Sequence, residues 1–189
     1  MSPPRTPAST SAERRVVLLR GINVGKGARI AMADLRACTT DAGCAEVATV
    51  LATGNIVVTD PRGGSELRAA LEPAYAKRFG YNALVLVIDR NQLDMAAAEY
   101  PFESLDEHHD YLVFSDDPDV SSKIITRMHD AIEPGGTESV APGPGCVYWR
   151  VPRGSTLSSA AGKVLDQREY RSRLTTRNLN TVRRILAVG

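Results

Sequence analysis

Two stretches place arginine and asparagine where a turn of the chain would gather their donors: LLRGINVGKG at residues 18–27 and LTTRNLNTV at residues 174–182. The first is an apolar run leading into a glycine-spaced loop that carries a lysine. A Walker phosphate loop has that outline, but its chemistry needs G-x-x-x-x-G-K-[ST] between a strand and a helix. Gly21 and Gly25 are one residue too close, and Gly27 stands where the magnesium-holding hydroxyl should be. The dinucleotide fingerprint fails as well, because no third glycine follows at its offset. Two readings stay open. The glycines can turn successive N–H groups inward as an anion-binding nest, with Arg20 and Lys26 adding charge. Alternatively, they serve backbone geometry alone.

In the second stretch, Thr175 or Thr176 is placed to cap a closing helix. Its first turn would then expose N–H groups beside Arg177 and Asn178, an arrangement suited to an anion. Plain capping explains one threonine, but not a run of Thr, Thr, Arg, Asn, Asn and Thr.

Other centres do not assemble. EHHD at 107–110 offers adjacent histidines with no third ligand at a recognisable spacing, and Cys38, Cys44 and Cys146 form no CxxC pair, so no metal or cofactor is expected. Ser155, Ser158 and Ser159 lack a hydrolase elbow. An RNA-binding plait would carry aromatics on its central strands. VVLLR has none, and Trp149 beside Tyr148 reads as core or sheet surface rather than a base-stacking platform.

The elements that must position these residues follow from periodicity. VVLL at 16–19 is a strand covered on both faces. Met32, Leu35, Cys38 and Ala42 fall at helical spacing, and Gly43 ends that helix. VATVL and NIVVT read as a hairpin about ATGN. A helix over 65–79 has Ser65 as its expected cap and Gly80 as its stop. ALVLVI at 83–88 is another buried strand. The order β-α-β-β-α-β is the ferredoxin-like plait.

The second half echoes it, with a strand at 111–115 and a helix carrying Ile124, Ile125, Met128 and Ile132, capped by Ser121 or Ser122. Strands near 138–141 and 146–151 follow, then a helix from about 158 to 168 and a final helix burying Leu179, Val182, Ile185 and Leu186. The expected fold class is α+β, two ferredoxin-like halves, the second ending in a helix in place of the last strand. The expected division is a disordered tail at 1–13, a plait at 14–98, a hinge at 99–110 and the second half at 111–189.

The totals fit a globular protein: 43% hydrophobic and 24% charged residues, with net charge +1. The start, MSPPRTPASTSAE, has no apolar run, so no signal peptide is read there. A cytoplasmic location without a membrane partner is expected. Charge is unevenly spread. Residues 94–119 hold nine acids and no Lys or Arg, whereas 146–189 hold nine Lys or Arg and two acids. Either the two stretches offset each other, or the basic one faces an anionic partner.

LLRGINVG, then M-x-x-L-R, then GNIVV, and TTRNxNTV near the C-terminus resemble the DUF1697 family, bacterial proteins of uncharacterised function. The resemblance spans residues 15–187 and implies two plait-like halves, with no activity attached. It falls on Arg20, Gly21, Ile22, Asn23, Val24 and Gly25, on Gly54 and Asn55, and on Thr176, Arg177, Asn178, Asn180 and Thr181. The chain departs from the family with Ala52-Thr53 in place of Gln-Ser and Leu179 in place of Trp. LSSAAGK replaces a Ser-Lys pair, so Lys163 is displaced.

The matched polar residues are donors without an evident base. General acid–base catalysis needs a group titrating near neutrality, and arginine stays charged. The expected function is therefore binding of a small phosphorylated or otherwise anionic ligand by Arg20, Gly21, Asn23, Gly25, Asn55, Thr176, Arg177, Asn178, Asn180 and Thr181. A nucleic-acid-binding module using the basic C-terminal face is the alternative, and an enzyme acting on a phosphorylated substrate is another.

Overall fold

A computed structural model describes residues 12–23, 29–80 and 82–188. The first half runs β1 (Glu13–Arg20), α1 (Met32–Asp41), β2 (Ala45–Val50), β3 (Asn55–Asp60), α2 (Gly64–Phe79) and β4 (Leu84–Asp89). After α3 (Arg90–Ala98), the second half runs β5 (His108–Ser115), α4 (Pro118–Ala131), β6 (Ser139–Gly143), β7 (Cys146–Pro152), α5 (Ala160–Leu165), α6 (Arg168–Arg171) and β8 (Leu174–Asn178), and α7 (Leu179–Leu186) closes the chain. The four-stranded antiparallel sheets are ordered β2-β3-β1-β4 and β6-β7-β5-β8. Both halves are plaits, as their periodicity implies.

One feature of the second half is corrected. The final helix does not replace the last strand. Residues 174–178 form β8, paired along β5 from Ser115↔Leu174 to Tyr111↔Asn178, and α7 follows it. A run of Thr, Thr, Arg and Asn has no apolar alternation to mark a strand. Its β-branched threonines still suit one, and the unpaired edge of β5 supplies the ladder.

Three apolar layers result. Val17 and Leu19 of β1 pack with Leu35, Ile56, Leu67 and Leu71 under α1 and α2. Val16 and Leu18, on the other face of the same strand, pack with Leu93, Leu112, Tyr148, Val182 and Ile185, so α3 and α7 lie between the two sheets. Val113, Ile124, Met128, Trp149 and Val151 form the outer layer beneath α4 and α5. The unbroken run VVLL is therefore covered on both faces.

Helix starts differ from the sequence reading. Gly63, not Ser65, precedes α2, and the Glu66 carboxylate accepts its N–H at 3.1 Å. Asp117 rather than Ser121 or Ser122 caps α4, accepting from Asp119 N at 2.9 Å, with Pro118 in the first turn. The helix expected from 158 to 168 is two shorter ones, α5 and α6. α7 is held at its far end by Arg90, whose guanidinium donates to Val188 O at 2.7 Å and Leu186 O at 2.5 Å, satisfying terminal carbonyls.

Candidate functional site

Register decides which candidate residues can meet. Thr175 and Arg177 lie opposite Phe114 and Leu112, which belong to the layer between the sheets. Thr176 lies opposite Val113, which faces the outer layer. Strand alternation therefore sends Thr176 and Arg177 to opposite faces. Arg20 shares the inner face with Val16 and Leu18.

The two motifs meet there. Arg20 Nη1 donates to Leu174 O at 2.9 Å, and Arg177 Nη2 donates to Leu19 O at 2.7 Å. Arg177 also donates from Nε to Asn55 Oδ1 at 2.6 Å, from Nη1 to Thr175 Oγ1 at 2.8 Å and Thr176 O at 3.0 Å, and from Nη2 to Thr53 O at 3.5 Å. Every acceptor is neutral. Desolvation without a carboxylate pushes the Arg177 guanidinium down to about 10. Asn55 is fully buried, and its amide donates to Val50 O at 2.9 Å and Thr53 Oγ1 at 3.0 Å.

The loop ends are closed in the same way. Asn23, at φ 57°, accepts from Ile30 N at 2.7 Å and donates to Ile30 O and Ala52 O, each at 2.9 Å. Asparagine tolerates this left-handed conformation. Gly21 has φ 69°. Gly25, with Lys26 and Gly27, lies outside the described residues. Asn178, rather than Thr175 or Thr176, caps α7, accepting from Asn180 N at 2.9 Å. Asn180 is exposed and Thr181 half-buried. Arg20, Asn23, Asn55 and Arg177 thus direct named bonds to protein acceptors, joining β1, β3 and β8.

A cavity of about 600 Å³ lies elsewhere, in a cleft between the halves. The starts of α2 (Gly64, Ser65) and α4 (Pro118, Ser121, Ser122) border it, with Arg68 on one wall and Asp116 on the other. Arg68 and Asp116 form an ion pair across the cleft, and Arg68 Nε also lies 3.3 Å from Glu72. A neighbouring cavity of about 240 Å³ shares Arg68, Leu86 and Asp116 and adds Arg20 and Arg173. Among the described residues expected to bind a ligand, Arg20 is the one that borders these spaces, with Thr175 of the second motif beside it. Arg68 gave no signal beyond its place one turn into a helix, and Asp116 read as part of an acidic run. That run meets arginines: Asp110 pairs with Arg150 at 2.8 Å, and Asp117 pairs with Arg173.

Nucleophilic chemistry has little to draw on. Burial pushes the thiols of Cys44 and Cys146 up to about 12, and Cys38 is also raised. Among the described residues, no group of three His, Cys, Asp or Glu side chains is placed to hold a metal ion, and no helix is long and apolar enough to cross a membrane.

The fold and the clasp define an α+β protein of two plait halves whose sheets enclose α3 and α7. The chain belongs to the DUF1697 family, proteins of unknown function, whose model matches residues 12–148. The TTRN stretch lies beyond that match. A solved structure, that of the conserved bacterial protein SP0830 from Streptococcus pneumoniae, is similar at a TM-score of 0.76 and 25% identity, covering 94% of this chain and 99% of that one. No curated protein is significantly similar to the chain.

Proposed function

We propose that the protein binds a small molecule carrying an anionic group in the cleft between its halves, with Arg68 as the principal contact and Arg20 beside it. The observation that carries this reading is the cleft itself. Its volume of about 600 Å³ suits a small ligand. Leu86, Ile88, Phe114 and Ile125 supply apolar wall, and the Arg68 guanidinium supplies a donor fork for an anion. Asp116 holds Arg68 in the free protein, so an incoming anion takes the place of that carboxylate. Arg177, through Asn55 and Leu19, supports the site by fixing the halves against each other, while Asn23 closes the loop after β1 within the first half, and binding rather than catalysis suits a wall whose thiol, Cys146, is held protonated.

Thermal melting with orthophosphate, sugar phosphates, nucleotides and small carboxylates tests the reading. At least one anion is expected to raise the melting temperature, and Arg68→Ala is expected to remove the rise. No shift with any anion, or a shift that survives Arg68→Ala, rejects the site.

A further inference from the structure

The cleft has a backbone wall as well as side chains. β4 is an edge strand, paired to β1 alone. Leu19 N donates to Gly54 O at 2.8 Å, so the Leu19 backbone faces away from β4. Its partner in the register is Val85, whose N–H therefore turns to the free edge, where Glu72 Oε1 accepts it at 3.2 Å. Two residues on, Val87 presents its own N–H and C=O to the same edge. No hydrogen bond from a described residue reaches either group. Proteins usually blunt such an edge. Here Glu72 blocks Val85, while Val87 is left open onto the cleft.

The surrounding space follows the strand. The 600 Å³ cavity borders Leu86 to Ile88, the 240 Å³ cavity borders Leu84 to Leu86, and a third of about 580 Å³ borders Ala83 and Leu84. Gly64 stands beside the Val87 carbonyl, and even a Cβ placed there would lie 3.7 Å from that oxygen. The groove thus runs along about 20 Å of strand edge at the usual rise per residue. Arginines are concentrated at its Leu84 end, where Arg20, Arg68 and Arg173 line the 240 Å³ cavity with Asp116, and Glu72 lines the adjoining cavity beside Leu84.

Resting on the reading of the cleft as an anion site, we infer that its ligand is an extended peptide that pairs with Val87 as an added strand and sets a carboxylate against the arginines at the Leu84 end. Main-chain bonds to an open edge give such peptides affinity, and a charged pocket at one end gives them selectivity. The carboxylate belongs either to the peptide's C-terminus or to an acidic side chain.

The test uses the full chain and a fluorescent hexapeptide, Thr-Val-Thr-Val-Thr-Glu, followed by anisotropy. Binding is expected, and Arg68→Ala should weaken it about tenfold, the scale of a lost charge-assisted hydrogen bond. Methylating the peptide nitrogens on one set of alternate residues should weaken binding by a similar factor, while the other set is tolerated, because only one set faces Val87. Val87→Pro, which removes the edge N–H, should act like the harmful set. The methylated peptides keep the test decisive if that variant does not fold. Amidating the C-terminus, and separately replacing the peptide's Glu by Gln, identifies the carboxylate. If both methylated sets bind as well as the parent, strand pairing is overturned. If no peptide binds while phosphate or a small carboxylate shifts the melt through Arg68, the peptide inference fails and the anion site stands. If neither binds, both fail.

Discussion

Arg20 and Arg177 each hold the other's strand. Arg20 donates to Leu174 O on β8, and Arg177 donates to Leu19 O on β1, at 2.9 and 2.7 Å. These residues lie 157 positions apart in sequence, and their crossed bonds tie the two plaits at the mouth of the inner layer. Arg177 makes its part of the clasp with neutral acceptors only, so its value lies in satisfying buried carbonyls rather than in a charge pair.

Replacing Arg177 by Ala should therefore destabilise the fold by about 3 kcal/mol, since Leu19 O and Asn55 Oδ1 lose their donor together. Arg177→Lys should recover less than half of that, because three donors on a point charge do not match the five-donor fork. Urea denaturation measures both. The cycle with Asn55→Ala should show a coupling of about 1 kcal/mol or more, and strict additivity would place the two residues in separate roles.

Gly54 has a stricter requirement than most glycines in the chain. It sits at φ 76°, and a Cβ there would lie 2.8 Å from Leu19 Cβ and 2.9 Å from Ile22. Gly54→Ala should lower stability by about 2–4 kcal/mol through strain and overpacking combined. Gly80, at φ 62° with nothing within 4 Å, isolates the backbone effect. Gly80→Ala should cost only about 1 kcal/mol. Equal melting losses for the two would remove the steric argument.

The contrast between these positions shows what was legible in the sequence. Periodicity placed nearly every element, because VVLL, NIVVT and the Ile124–Met128 stripe each bury a face that any sheet or helix would cover. β8 was not legible. Its residues are chosen for Arg177's bonds to β1 and β3 and for pairing with β5, and neither partner lies nearby in sequence. The motif residues announced that something polar was being gathered, and the structure gathers Arg20, Asn23, Asn55 and Arg177 around carbonyls. The cleft was hidden for a different reason. Arg68 of α2, Asp116 between β5 and α4, and the Val87 backbone of β4 come from separate segments and form no local pattern; two of them look like ordinary surface charges until the halves are brought together.

Asp116 is the natural competitor for any anion at Arg68. Asp116→Asn keeps the shape of the wall and removes the charge. On the proposed reading it should raise affinity for whichever anion shifts the melt by about three- to tenfold, the effect of removing one like charge at a partly exposed site. Stability should change by less than about 1 kcal/mol, since both partners are more than one-third exposed and screened by solvent. Calorimetric titration of the variant checks this, and an unchanged or weaker affinity would count against Arg68 as the anion contact.

Asp60 sets an acid limit on the first half. It is fully buried, and Arg62 serves it three ways: backbone N to Oδ1 at 2.9 Å, Nε to Oδ1 at 2.8 Å and Nη2 to Oδ2 at 2.6 Å. These bonds, led by the guanidinium, hold the Asp60 carboxyl below its ordinary value of 3.8 despite burial. A carboxyl lowered in the folded state contributes stability that is fully present above the unfolded value and is lost as pH falls through the folded one. Unfolding free energy should thus decline as pH drops below about 4, and Asp60→Asn should flatten that part of the curve while lowering the plateau at neutral pH. Arg62 also donates to Ala42 O at 3.2 Å, so it anchors the end of α1 through the same carboxylate. Urea midpoints taken from pH 7 down to pH 3 would separate the two effects. A variant with an unchanged acid slope would show that Asp60 does not carry the titration.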